Sequence, residues 1–502
     1  MNRLCLGIPM AVSLCVKLIL LSVLHQGAVN MDGTLYINAA RHFAAGDMAA
    51  GLAVYPMPAY SLLIALTHTV IPDWISAAYF ISISSMVLAT IPLYYLTKTM
   101  FSMKAAFWAC LIFALLPKMN EWSLYVSRDP LFLLIAAWFV LIALKSSRET
   151  GLLFFSATFL LAWTAILIRV EGLIFIFFYA VILIRQAVTA GEPKGRHYLK
   201  LLIWLFPLGA GLMSLGITGI HGIRVNRFDQ VYRWMTPLFN GEFLNLYFQI
   251  YNFLSEAENH PPFSGWHYNF AALARHYLLI IYMMGIIQVL LKIISPLSFI
   301  PLYMALKKPV PSQGKWVLWL GTMFIAVVYY SLLTRDFIAT RFLMMPAFLL
   351  LPWIGAGTNA LWIKATATPY NLRSRILLVS IILLPAVLTL SLIRSNDNTI
   401  PKAVAWLAKN NTTERIHIAT NAKRVPFYAV LETDNNPNWT VVVYKNENHT
   451  KIESFAMNQN ATILILKKKH KKHKEIPAFN HFKKIAGFAT KSEITTVYAR
   501  TP

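Results

Sequence analysis

Five places in this sequence set an ionisable side chain at the end of a long apolar run: Asp32, Arg128-Asp129, Arg169 with Glu171, Arg335-Asp336, and Arg341. A charge at the centre of a membrane helix costs about 2.5–3.5 kcal/mol on insertion scales, so ionisable groups retained at helix ends deserve a functional hypothesis. Their chemistry is specific. A carboxylate takes a proton from a hydroxyl. A guanidinium grips a phosphate through two parallel hydrogen bonds and stays charged. Taken singly, each acid reads equally well as a helix cap, and each arginine as a side chain reaching to the membrane edge. The clustering at one set of helix ends is what favours chemistry.

The elements that must position these residues are membrane helices. The chain has 502 residues, 57% of them hydrophobic and only 13% charged, against about 25% charged in ordinary globular chains. A span needs about 20 mostly apolar residues. Such runs lie near Leu4–Leu24, Ser76–Leu96, Ala105–Leu116, Leu131–Leu144, Gly151–Ile168, Leu173–Ile184, Leu199–Ile220, Ile286–Leu306, Trp316–Leu333, Phe342–Ile363 and Ile376–Ile393. This is an α-helical polytopic membrane protein of about eleven spans. The Leu278–Leu306 stretch is broken by Lys292 and Pro296, and part of it suits an interfacial helix. The net charge of +24 does not point to nucleic acid. With a cytoplasmic N-terminus, Lys98/Lys104, Lys145/Arg148, Arg185/Lys194/Arg196/Lys200, Lys307/Lys308/Lys315 and Lys364/Arg373/Arg375 all fall in cytoplasmic links, as the positive-inside rule expects. All five charged places then lie on the outer side. Lys17 interrupts the first apolar run and no clear cleavage site follows, which favours an uncleaved helix over a signal peptide. Cys5, Cys15 and Cys110 form neither a disulfide framework nor a metal-ligand spacing.

Two outer segments are long. His25–Trp74 carries Asp32, Tyr36, Arg41 and the Tyr55-Pro56-Met57-Pro58 turn, then a short apolar helix near Ala59–Ile71 suited to the interface. His221–Tyr277 is rich in aromatic residues, among them Tyr232, Trp234, Tyr247 and Trp266, which suit a membrane interface or a lid over a bound substrate. After Arg394 the composition changes. A helix at Ala403–Ala408 and strand-like runs at Ile416–Ala419, Thr440–Tyr444, Thr462–Leu466 and Ile494–Tyr498 predict a small extracytoplasmic α/β domain. Residues 1–394 would form the catalytic membrane domain and 395–502 this outer one. Lys467–Lys474 reads as a solvated hairpin tip or as a patch for anionic headgroups.

The motifs along the chain resemble those of the GT-C glycosyltransferases. The closer likeness is to the branch of protein O-mannosyltransferases, the lipid A aminoarabinose transferase and the Rgt-like transferases. It rests on Asp32-Gly33-x-x-Tyr36, Ala40-Arg41-x-x-Ala44-x-Gly46, Tyr55-Pro56-x-Pro58, Ser127-Arg128-Asp129-Pro130-Leu131, Arg169-Val170-Glu171-Gly172 and Arg341-Phe342-x-x-x-Pro346. The resemblance implies a sugar transferase of the bacterial inner membrane. Its donor would be a polyprenyl-phosphate sugar, and its acceptor a lipid, glycan or protein at the outer face. Asp32 would be the general base of a single, inverting displacement. Asp129 would position the acceptor or a basic side chain. Arg128, Arg335 and Arg341 would take the carrier phosphate. Tyr36, Arg41, Tyr55, Arg169 and Glu171 complete the expected substrate site, the last two reading equally as a structural ion pair.

His42, His68 and His276 read as packed or interfacial residues rather than ligands. The Trp-Trp-Asp signature of oligosaccharyltransferases and a first-loop Asp-x-Asp are both missing, so no tightly bound metal is expected, which leaves a weakly held divalent ion open. Competing readings are an O-antigen ligase or polymerase and a transporter of a lipid-linked substrate. Charges gathered at one face and an appended outer domain favour the transferase. Asn-x-Ser/Thr matches at Asn410, Asn411, Asn438, Asn448 and Asn460 carry no meaning in a bacterium.

Overall fold

Within lipid, backbone N–H and C=O groups have no water to bond, so an apolar run closes its own hydrogen bonds as an α-helix. The computed structural model describes residues 2–24, 29–147, 152–189, 199–206, 236–259, 266–335, 337–367, 372–391, 398–410, 415–433, 438–444, 451–469, 479–490 and 493–501. Asp336, most of the expected span Leu199–Ile220, the loop residues Tyr232 and Trp234, Asn411, Asn448 and the basic run beyond Lys469 lie outside them.

Among the described residues, seven helices are long and apolar enough to cross a membrane: Leu4–Val23, Trp74–Met100, Asp129–Ser146, Val170–Val188, Ser312–Arg335, Thr340–Ala367 and Leu372–Ser391. Three shorter apolar helices accompany them, Met103–Leu115, Leu152–Ile168 and Pro296–Leu306. The protein is a multi-pass membrane protein. Thr340–Ala367 is central, with 78% of its apolar window buried, whereas only 22% is buried for Leu4–Val23 and for Leu372–Ser391, which face outward. The expected span Ile286–Leu306 is corrected: one helix runs Leu278–Ile294 and ends at Ser295, whose φ is 69°, before a turn and a short helix Phe299–Leu306. Pro296 is the cause, since it cannot continue a helix. Leu278–Ile294 also meets the preceding Phe270–His276 at a bend of 80°.

A polar network ties the bundle together at another break. The helix Met103–Leu115 stops before Pro117, leaving its last carbonyls without in-helix donors. Asn120 Nδ2 donates to the Ala114 carbonyl at 3.0 Å, and Thr389 Oγ1 donates to that of Leu115 at 2.9 Å. Fully buried Lys17 then donates to Asn120 Oδ1 and to Ser13 Oγ, each at 2.9 Å. Asn120→Leu, which takes one of Lys17's two acceptors and leaves the Ala114 carbonyl without its donor, is expected to cost about 2–5 kcal/mol. Thermal unfolding in detergent would read this, and adding Lys17→Met should recover most of the loss.

The C-terminal part is a five-stranded sheet in the order β2-β1-β3-β5-β4, with β1 Ile416–Thr420, β2 Trp439–Val443, β3 Ile463–Lys469, β4 Phe482–Ala489 and β5 Glu493–Arg500. β1 pairs in parallel with β2 and β3, whereas β5 pairs antiparallel with β3 and β4. The four expected strands are present. β4 and the helices Val425–Glu432 and Ile452–Asn458 were not expected. β4 reads Phe-Lys-Lys-Ile-Ala-Gly-Phe-Ala: its lysines and glycine hide the alternation, as suits an edge strand guarded against further pairing. The expected helix at Ala403–Ala408 extends over Thr399–Asn410 and packs on β4 and β5.

Candidate active site

Asp32 lies in the first turn of the helix Met31–Ala44, whose capping position is Asn30, so the reading of Asp32 as an N-cap is corrected. Its carboxylate instead reaches a distant helix: Arg341 Nη1 donates to Asp32 Oδ2 at 2.8 Å, across 309 residues of sequence. Arg341 stands in the turn Thr340–Leu343 that leads into Met344–Ala367. Both side chains stay partly open, 32% exposed for Arg341 and 49% for Asp32.

Arg128 precedes the helix Asp129–Ser146 and donates from Nη1 to the Ile168 carbonyl at 2.9 Å and to Met57 Sδ at 3.3 Å. Its guanidinium lies over the Tyr55 ring, 5.5 Å from the centroid. Tyr36 meets Tyr55 edge-on at 4.7 Å and Tyr60 at 5.2 Å. The Tyr36 and Tyr55 motifs thus build an aromatic support under an arginine, a favourable cation–π arrangement. Burial raises the Tyr36 pKa, which keeps the phenol a neutral hydroxyl. Burial opposes the charge on Arg128, and the nearby Glu171 and Asp32 carboxylates favour it.

Asp129 opens its helix beside Pro130, faces inward, accepts from Ser127 Oγ and pairs with Arg169. Arg169 also forks onto Glu171, donating from Nη2 at 2.5 Å and from Nε at 3.2 Å. Phe132 and Phe342 hold its guanidinium, with centroids at 5.5 and 5.6 Å. The tight turn from Arg169 to Glu171 requires Gly172, because a Cβ there would meet Ile166 N at 2.6 Å. Arg169 is therefore committed to two carboxylates and Arg341 to Asp32.

Arg128, Asp129, Arg169, Glu171 and Arg341 line one cavity of about 310 Å³, whereas Asp32, Tyr36 and Tyr55 are not among its lining residues. Its charged side holds Arg128, Asp129, Arg169, Glu171, Arg335 and Arg341, four guanidinium groups against two carboxylates. Phe132, Leu133, Phe324, Val328, Met344 and Met345 form an apolar wall, and Tyr330, Ser331 and Thr334 add hydroxyls. Such a site favours an anion with an apolar tail, since a net positive field in a low-dielectric wall is little screened. Asp32 joins it through Arg341. Arg41 sits at the far end of its helix, about 13 Å along the axis from Asp32, and is not among the cavity residues. His68 stacks on Trp74 at 3.6 Å and His276 lies edge-on to Tyr277; neither lines the cavity, nor does His42. Among the described residues, no three His, Cys, Asp or Glu gather as a metal site. Sequence reasoning passed over Tyr330, Ser331 and Thr334. Their signal was legible: a hydroxyl set at i, i+1 and i+4 within an apolar helix marks one face.

The family model for dolichyl-phosphate-mannose-protein mannosyltransferase matches residues 55–208. Among curated proteins no sequence matches significantly. Two solved structures share the chain's fold at 12% identity. ArnT from Cupriavidus metallidurans, bound to undecaprenyl phosphate, aligns at a TM-score of 0.53 over 98% of this chain and 97% of its own. The apo oligosaccharyltransferase of Archaeoglobus fulgidus aligns at 0.52 over 93% of this chain and 69% of its own. The chain has the fold of the GT-C membrane glycosyltransferases.

Proposed function

We propose that this GT-C-fold chain moves a sugar from a polyprenyl-phosphate carrier onto a lipid, glycan or protein acceptor at the outer face of a bacterial inner membrane. One observation carries the reading: the Asp32 carboxylate lies 2.8 Å from Arg341, which lines an arginine-rich cavity with an apolar wall. In the step itself, the acceptor oxygen bonds to the anomeric carbon as the bond from that carbon to the phosphate oxygen breaks. Asp32 takes the acceptor's proton. Arg128, Arg335 and Arg341 take the charge that develops on the departing phosphate. A single displacement inverts the anomeric centre. A phosphate is a bidentate rival for Arg341, so donor binding draws that arginine away and leaves Asp32 a freer base. The neighbouring ArnT structure holds undecaprenyl phosphate, which supports the carrier class. Lysines and arginines in the links at the opposite helix ends support the orientation.

Radiolabelled polyprenyl-phosphate sugars incubated with membranes holding the wild-type or the Asp32→Asn chain test this. Label passing to an acceptor only with the wild type supports the proposal and, through the product, names the acceptor. Equal transfer by both removes Asp32 from the mechanism. Transfer is also expected to persist in EDTA. Asp32 is paired with Arg341, and Asp129 and Glu171 share Arg169, so each carboxylate a divalent ion would need already has a cationic partner. Loss of activity restored by Mg²⁺ or Mn²⁺ would overturn the metal-free step.

A further inference from the structure

We infer that the C-terminal α/β domain is part of the catalytic apparatus through Arg424 and Tyr428, positioning residues that fix the start of the Asp32 helix. The inference rests on the role proposed for Asp32. Residue Asn30 occupies the capping position of Met31–Ala44 but makes no cap hydrogen bond, and its Oδ1 is buried without a hydrogen-bond partner. The usual local device for fixing a helix start is thus missing. What holds it comes from the other end of the chain. Val29 N–H donates to Tyr428 Oη at 2.6 Å, and Arg424 Nη1 donates to the Val29 carbonyl at 3.0 Å. Both partners belong to the helix Val425–Glu432 and its capping position. Val29 is 1% exposed, so water cannot replace either bond.

The same point is pinned from a third side. A Cβ on Gly33 would lie 2.7 Å from Val29, 2.8 Å from Asn30 and 2.8 Å from Val126, which immediately precedes Ser127-Arg128-Asp129. Three segments therefore meet at Val29: the docked domain, the Asp32 helix and the Arg128-Asp129 turn. A slip of one residue in the helix turns each side chain by about 100°, enough to take the Asp32 carboxylate off Arg341. Misplacing a reacting group by about 1 Å can cost on the order of 10²-fold in rate.

Tyr428→Phe and Arg424→Ala test the clamp in the full chain. The expected result is a fall in kcat of about 10–100-fold with the donor KM within about threefold, because the arginine cavity is untouched. Arg424→Lys, which can still donate to the Val29 carbonyl, should restore most of the rate. A readout independent of transfer is the line shape of a nitroxide at Leu35→Cys, a position 45% exposed on the Asp32 helix, in a chain carrying Cys5→Ser, Cys15→Ser and Cys110→Ala. The label should be more mobile with Tyr428→Phe or Arg424→Ala. A label as immobile as in the parent chain overturns the clamp, and so does an unchanged kcat. A loosened label in a protein that transfers no sugar supports the clamp and removes the transferase reading instead. Tyr428→Phe is isosteric, which keeps the test available should Arg424→Ala misfold.

Discussion

Asp32→Asn is expected to lower transfer from a polyprenyl-phosphate sugar by about 10²–10⁴-fold, the range that general-base catalysis contributes. The loss should fall on kcat, with the donor KM little changed, because the phosphate-facing arginines are all retained. It should also leave stability nearly intact. The Asp32–Arg341 pair is half open to solvent, and exposed ion pairs contribute about 0–1 kcal/mol to folding. The amide oxygen of Asn can still accept from Arg341, so geometry is kept while basicity is lost. Single-turnover transfer beside thermal unfolding separates the two effects. A large loss of rate in a chain that melts like wild type identifies the base; a parallel loss of both would make Asp32 a structural residue.

Arg169→Met should produce the opposite signature, a large loss of stability. Arg169 is the shared partner of Asp129 and Glu171, and the three side chains are 5%, 4% and 15% exposed. Removing one member of a buried ionic set leaves uncompensated charge and typically costs about 3–5 kcal/mol. Phe132 and Phe342 would also lose the cation between them. Unfolding in detergent and yield from the membrane should both fall. Adding Asp129→Asn and Glu171→Gln removes the stranded charges, so most of the stability should return while transfer stays lost. If the triple substitution melts as low as Arg169→Met alone, Arg169 stabilises the protein by packing between the two rings and not by its charge.

The fold class was legible because a lipid-facing helix must be apolar along its length, a constraint written residue by residue in runs such as Leu131–Leu144. Boundaries were less so. The break at Ser295-Pro296 was marked by the proline, but the length of the helix before it depends on packing that no local pattern carries. β4 stayed hidden for a related reason: as an edge strand it is defined by its pairing with β5 and not by its own alternation.

For the site, the amino-acid types and their order determined which acids and arginines sit at helix ends, and so which chemistry was open to them. Only the tertiary structure decided the pairing. It set Asp32 against Arg341, bound Asp129 and Glu171 to Arg169, left Arg41 a helix length from the acid, and brought Arg424 and Tyr428 to Val29. The physical reason is range. Helix formation and membrane insertion depend on neighbours a few residues apart, whereas an ion pair spanning hundreds of residues exists only once the helices that carry its two halves have packed.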